Sequence, residues 1–157
     1  MDPEVSFEYL LQAVRYGADY VDVELSMPPP LRSRILQERG STKVIISKHI
    51  GSHTPSSWEL EEIFRKSVEA RGDIVKIVGY ARSWEDNLRI VKVIPLSKKA
   101  DLGAIAFCMG HKGRLSRVIS HLIGGAMSFT PLGYGEESAH GQIPIGEMKK
   151  ILRYFNP

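Results

Sequence analysis

The chain has 157 residues, 43% of them hydrophobic and 25% charged, a balance that excludes an intrinsically disordered polypeptide and fits one globular domain over residues 1–157. A formal charge of +3 admits anionic ligands but falls short of the signature of a nucleic-acid-binding segment. The single Cys108 excludes an internal disulfide, no apolar stretch reaches the length of a bilayer, and Met1 is followed by acids rather than a signal region, so a cytoplasmic or nuclear location without a membrane partner is expected.

In chain order, a helix is expected from Pro3 to Tyr16, with Phe7, Leu10, Leu11 and Val14 on one face and Gly17 as its stop. A strand follows from Tyr20 to Leu25, on which period-two alternation puts Asp22 and Glu24 on the same side. Pro28-Pro29-Pro30 punctuates a loop, and Leu31 to Glu38 reads as a short helix ended by Gly40. The strand Lys43 to Lys48 leads into His49. Ser56-Ser57-Trp58-Glu59 is a capping box for a helix that turns Leu60, Ile63 and Phe64 inward and closes at Gly72. The strand Asp73 to Tyr80 carries Lys76 in an otherwise apolar run. A cap at Ser83-Trp84-Glu85-Asp86 opens a helix with Leu88, Val91 and Ile94 as its stripe, followed by a loop from Pro95 to Asp101. The strand of Cys108 passes through Gly110-His111-Lys112-Gly113 into a helix with Leu115, Val118, Ile119 and Leu122 inward. A last strand is expected near Ala126 to Phe129, then a Gly-rich loop and a final helix from Ile145 to Phe155.

Strand and helix alternate throughout, and the strands are continuous apolar runs, the pattern of parallel strands covered by helices. The expected class is α/β, with about five parallel strands, too few for a closed barrel of eight.

Lys76 is the first candidate for chemistry. An ammonium taken out of water tends to lose its proton, and the neutral amine is a nucleophile that forms Schiff bases with carbonyl compounds. A lysine at a sheet edge with its head in solvent is the alternative. His49, at the carboxyl end of a strand, stands where an α/β fold places an acid–base group. Asp22 and Glu24 would hold a neighbouring cation or bias the protonation of Lys76 and His49. Cys108 reads as a small buried hydrophobe.

Taken together, Val21-Asp22-Val23-Glu24-Leu25, Val44 to His49 with Thr54-Pro55, Gly72 to Val78 around Lys76, Met109 to Arg117, and Ser138-Ala139-His140-Gly141-Gln142 resemble the type I 3-dehydroquinate dehydratases. Order and spacings match, the separation of His49 from Lys76 included. Ser83-Trp84-Glu85-Asp86-Asn87 is similar to the fungal forms, those of the pentafunctional arom protein and of the quinate repressor. The resemblance implies a TIM-barrel-like domain without cofactor or metal, an imine between Lys76 and a substrate ketone, and proton transfer by His49. It further implies that Arg117 clamps a carboxylate and that Ser138 and Gln142 close over the ligand, with Asp22 and Glu24 as supporting acids. On the residues alone, Arg117 reads as a solvated helix residue and Ser138 and Gln142 as an ordinary polar loop.

Family members begin with three further strands, which carry an arginine–glutamate pair, a second binding arginine and the glutamate that orients the histidine; none of these can be placed in this chain. The expectation is therefore a catalytically impaired, truncated domain of the quinate-repressor kind that senses quinate or a 3-dehydroquinate-like ligand in transcription regulation. The alternative is an active 3-dehydroquinate dehydratase of the shikimate pathway, completed by strands elsewhere. A third class, a structural dimerisation module, would leave Lys76 unexplained. Open sheet edges imply a homodimer or a partner domain.

Overall fold

Period-two alternation decides which side of each strand meets a helix, and in this chain it separates two chemically different faces. In the computed structural model, which describes residues 2–155, β1 (Tyr20–Glu24), β2 (Lys43–His49), β3 (Ile74–Tyr80) and β4 (Gly103–Met109) form one parallel sheet in the order β1-β2-β3-β4. Between and after them run α1 (Pro3–Arg15), α2 (Pro29–Glu38), α3 (Ser57–Glu69), α4 (Glu85–Ile90), α5 (Val93–Lys99), α6 (Arg114–Leu122) and α7 (Ile145–Arg153).

One face buries Val21, Val23, Val44 and Ile46 against Phe7, Leu11 and Val14 of α1 and Ile35 of α2. Further along the same face, Val75, Ile77, Ala104, Ala106 and Cys108 pack on Leu60 of α3, Ile90 of α4 and Val93 and Ile94 of α5. The other face holds Ile45, Ile74, Val78, Ile105 and Phe107, and the neighbours packed on it, Met109, Met127 and Phe129, come from no helix. Helices thus cover one face, and a loop segment lies against the other. The sequence pattern of strands apolar on both sides is explained, but the second side is the less enclosed one.

The expected fifth strand is a correction. Ala126 to Phe129 is irregular, and its one ladder-like bond is the Ala126 amide donating to the Ala104 carbonyl at 2.8 Å. Gly124 and Gly125 before it and Pro131 after it leave too short a run to pair along β4. The segment from Pro95 is helical rather than a loop, since proline is tolerated in the first turn of α5. Leu88 and Leu115, expected inside, are exposed. Their helices instead bury Asp86 and Asn87 in α4 and Ser116, Arg117 and Ser120 in α6.

Asp86, Asn87 and Ser116 are inside because turn backbones need them. Asp86 accepts the amides of Arg82 and Ser83 at 2.7 and 2.9 Å, so the cap read at Ser83 is supplied by the acid within the helix. Asn87, fully buried, donates to the carbonyls of Trp84 and Lys112 at 3.1 and 3.0 Å and accepts the Ser116 amide at 3.0 Å. It fixes where α6 starts. The capping box at Ser56 and Glu59 is formed as expected. Among the described residues, no helix is long and apolar enough to cross a membrane.

Replacing Asn87 with alanine leaves the Lys112 carbonyl without this donor and takes one of two partners from the Ser116 amide and from the Trp84 carbonyl, which keep their backbone bonds. An unsatisfied buried group costs roughly 1–3 kcal/mol, so Asn87→Ala is expected to lower stability by about 1–3 kcal/mol in urea titration, with an unchanged m-value.

Candidate active site

The carboxyl ends of parallel strands leave a crevice in which loops place functional groups. Here the in-register row Glu24, Ser47, Lys76, Ile105 crosses all four strands on the face without helices. Asp22 lies two residues before Glu24 and His49 two residues after Ser47, on the same side.

Lys76 is 8% exposed, which rules out the solvated edge lysine. Its Nζ donates to Asp22 Oδ2 at 2.6 Å and lies 4.5 Å from the centroid of the Phe129 ring. The pair spans two inter-strand spacings, roughly 9–10 Å, so the two side chains must reach over β2. Ser47 makes this possible because its side chain is short. Its hydroxyl is buried and, among the described residues, has no hydrogen-bond partner.

His49 Nδ1 pairs with Glu24 Oε1, and both side chains remain partly accessible. Thr54, just after the histidine, donates to the Tyr80 carbonyl at 3.0 Å and contacts Cys108 Sγ at 3.1 Å, fastening this loop to the ends of β3 and β4. Burial pushes the Cys108 thiol up, partly offset by the Thr54 hydroxyl, which agrees with its reading as an inert core residue.

Arg117 is 1% exposed. Its guanidinium carbon sits 4.1 Å from the Phe107 ring centroid, and Nε, Nη1 and Nη2 all lack a hydrogen-bond partner among the described residues. Desolvation lowers its pKa to about 10, with the nearby Cys108 acting in the opposite direction. The reading as a solvated helix residue is therefore corrected. Ser116 puts it there: the Ser116 hydroxyl accepts the Cys108 amide at 2.8 Å and donates to the Gly113 carbonyl at 2.6 Å, so α6 is pinned and its next residue turns over Phe107.

The last loop is held by its own side chain. Gln142 Oε1 accepts the amides of Ser138 and Ala139 at 2.9 and 3.4 Å, and Nε2 donates to Ser138 Oγ at 3.2 Å. The Gly110 amide donates to the His140 carbonyl at 3.1 Å, and Gly141, at φ +84°, passes so close that a Cβ there would lie 2.2 Å from the Gly110 carbonyl oxygen.

These parts meet around one cavity of about 140 Å³ lined by His49, Lys76, Arg117, Ser138 and Gln142 among others. Five of the seven expected site residues thus share a cavity. Asp22 and Glu24 lie behind it, on a separate groove beyond β1. Ser47, Phe107 and Phe129 were not anticipated. Alternation on β2 could have flagged Ser47, whereas Phe129 sits in an irregular segment that carries no periodic signal. Among the described residues, no group of three or more His, Cys, Asp and Glu is placed to hold a metal ion.

The family model of type I 3-dehydroquinase matches residues 1–156. The chain belongs to this family. It is 34% identical over 151 residues to the 3-dehydroquinate dehydratase of Syntrophobacter fumaroxidans, covering 95% of the chain and 63% of that relative. The chain thus spans less than two thirds of the length of that dehydratase. Among solved structures, it is similar to the dehydroquinate dehydratase and shikimate dehydrogenase of S. pombe AroM, with a TM-score of 0.82 and 31% identity over 99% of this chain and 29% of that one. A type I 3-dehydroquinate dehydratase from Clostridium difficile with covalently modified comenic acid superimposes with a TM-score of 0.87 at 25% identity, over 99% of this chain and 62% of that one. The four parallel strands and flanking helices match these TIM-barrel-like dehydroquinase folds.

A buried, unpartnered guanidinium is costly to the empty protein. Arg117→Met, which keeps the stem and removes the charge, is expected to raise stability by about 1–3 kcal/mol. Thermal melts of the two proteins check the sign. A destabilised variant would show that the arginine is satisfied in solution.

Proposed function

We propose that this site performs the Schiff-base chemistry of a 3-dehydroquinate dehydratase. The observation that carries the reading is the gathering of a buried lysine, a strand-end histidine and an unpartnered buried arginine around one cavity, in a chain of the dehydroquinase family. The relatives described above carry the dehydratase name. They lend no support to the expectation of an impaired regulatory module of the quinate-repressor kind.

In this reading the Lys76 amine adds to the substrate ketone, and loss of one water gives a protonated imine. Asp22, 2.6 Å from Nζ, holds the amine toward the cavity. His49 removes a proton from the carbon beside the imine, and the electron pair moves to the imine nitrogen to form an enamine. Collapse of the enamine expels the hydroxyl on the next carbon, which leaves as water with a proton returned by His49. Hydrolysis of the imine then frees Lys76 and a conjugated enone, for a net loss of one water. Arg117 faces the substrate carboxylate with its guanidinium fork, and Ser138 and Gln142 close the cavity from the last loop. No cofactor enters this sequence.

The resemblance places further binding groups on strands that would extend the sheet past β1. Imine formation is therefore expected from this chain, and turnover at a full family rate only from a sheet extended at that edge. Treatment with 3-dehydroquinate and borohydride, followed by peptide mapping, is expected to find a reduced adduct on Lys76 and none in Lys76→Met. An adduct on another lysine, or none at saturating ligand, would remove the Schiff-base reading.

Among the described residues β1 pairs only with β2, and Tyr9 and Tyr20 are exposed beside that edge. Unpaired strand edges recruit a partner, and a second copy is the proposed one. Light scattering over a dilution series is expected to show a dimer. A monomer at micromolar concentration with β1 amides protected from exchange would count against it.

A further inference from the structure

We infer that Phe107 is the positioning residue of Arg117: its ring holds the guanidinium by one flat face in the empty cavity and leaves the N–H edge free for a carboxylate. This rests on the reading of the site as a Schiff-base dehydratase and deepens it, because it sets how the site tells a ketone that bears a carboxylate from one that does not. The carboxylate clamp comes from the resemblance; what keeps a buried guanidinium in place before a ligand arrives does not.

Arg117 is buried, and among the described residues none of its three side-chain nitrogens has a hydrogen-bond partner and no acid pairs with it. What it meets is the ring of Phe107, whose centroid lies 4.1 Å from the guanidinium carbon. Phe107 is itself buried and lines the same cavity of about 140 Å³. Its ring packs in one apolar cluster with Val78, its register partner on β3, and against Phe129, whose centroid is 6.4 Å away at an interplanar angle of 57°. The ring is thus held before any ligand is present.

A ring face attracts a cation through its quadrupole, and a planar guanidinium stacks by its face while its donors point outward in its own plane. An acid in the place of Phe107 would hold the arginine more strongly, but it would occupy the fork that a ligand carboxylate needs. The ring holds without competing. Lys76 repeats the arrangement on the second ring, with Nζ 4.5 Å from the Phe129 centroid. Each of two paired aromatic side chains therefore carries one cation of the site, and the pair sets the span from the carboxylate clamp to the nucleophile. An aliphatic side chain at position 107 would fill the same space but offer no negative face.

The test separates holding the guanidinium from filling the core, and it uses the full chain. Borohydride trapping at Lys76, read by peptide mapping, is run with 3-dehydroquinate and with cyclohexanone, a ketone without a carboxylate. In Phe107→Leu the half-saturating concentration of 3-dehydroquinate is expected to rise about tenfold, while that of cyclohexanone changes far less. Phe107→Tyr, which keeps the ring face, is expected to retain the original value for 3-dehydroquinate. Equal losses for both ketones, or no loss for 3-dehydroquinate in a folded Phe107→Leu, overturn the inference. A second readout needs no imine. A proton above a ring face resonates upfield, so the Nε–H signal of Arg117 in ¹⁵N-arginine-labelled protein, assigned from its absence in Arg117→Met, is expected to move downfield in Phe107→Leu and to stay in place in Phe107→Tyr. An unmoved signal in the leucine variant also overturns the inference. If the wild-type chain traps no 3-dehydroquinate, the dehydratase reading fails, and the arginine signal still decides whether Phe107 holds the guanidinium. Should Phe107→Leu not fold, Phe107→Met provides the same contrast.

Discussion

The tether from Asp22 to Lys76 is the constraint on which the site depends. It links the edge strand to β3 across the whole width of β2, and it exists only because three choices agree. The acid stands on the face without helices, the lysine stem is long enough to reach across, and residue 47, the β2 neighbour of Lys76 in the register, is a serine. A branched side chain at that position would stand in the path. Removing Asp22 would leave a nearly buried ammonium beside an aromatic ring with no counter-charge, a far worse state than either the pair or an apolar substitute for both. The electrostatics of the lysine are therefore decided by strand register, well before any ligand arrives.

Register also explains why chemistry collects on one side of this sheet. The face toward the helices is dry and filled by branched aliphatics, with its polar residues consumed in backbone bonds. Asn87, Ser116 and Thr54 are of that kind. They determine where helices start and where loops end, and so indirectly where Arg117 and His49 point. The opposite face is covered by Met127 and Phe129 from an irregular segment. A loop cover has fewer backbone bonds to break than a helix, so this side can open to a ligand at smaller cost.

Much of this was legible in the sequence because it follows from periodicity. The four strands, the first three helices and the shared side of Asp22 and Glu24 come from apolar spacing and cap residues. Lys76 and His49 stood out because their residue types conflict with their surroundings, and family resemblance added Arg117, Ser138 and Gln142. What was not legible depends on contacts between distant segments. Leu88 and Leu115 look like core residues on a helical wheel, yet neighbouring turns call for the Asn87 amide and the Ser116 hydroxyl inside, and one helix cannot turn both sets inward. Ala126 to Phe129 has strand composition but lacks the length to pair, so hydrophobicity there signals a lid rather than a ladder.

The distribution of unsatisfied groups gives an independent sign of where a ligand belongs. Among the described residues, the buried side-chain atoms without a partner are Ser47 Oγ, Ser128 Oγ and the three nitrogens of Arg117. Arg117 lines the cavity, Ser47 lies between Glu24 and Lys76 in the register row, and Ser128 lines the adjoining hollow with Ser138 and Gln142. Buried polar groups are nearly always paired, because each orphan costs stability. A sheet that satisfies the polar residues behind it and leaves the ones in front unmet is less stable empty than it could be. For a guanidinium the matching group is an acceptor, and a carboxylate offers two in its fork geometry. Of the unmet groups Arg117 alone lines the cavity that also holds Lys76, so the guanidinium is the point at which the unmet hydrogen bonds and the buried lysine meet.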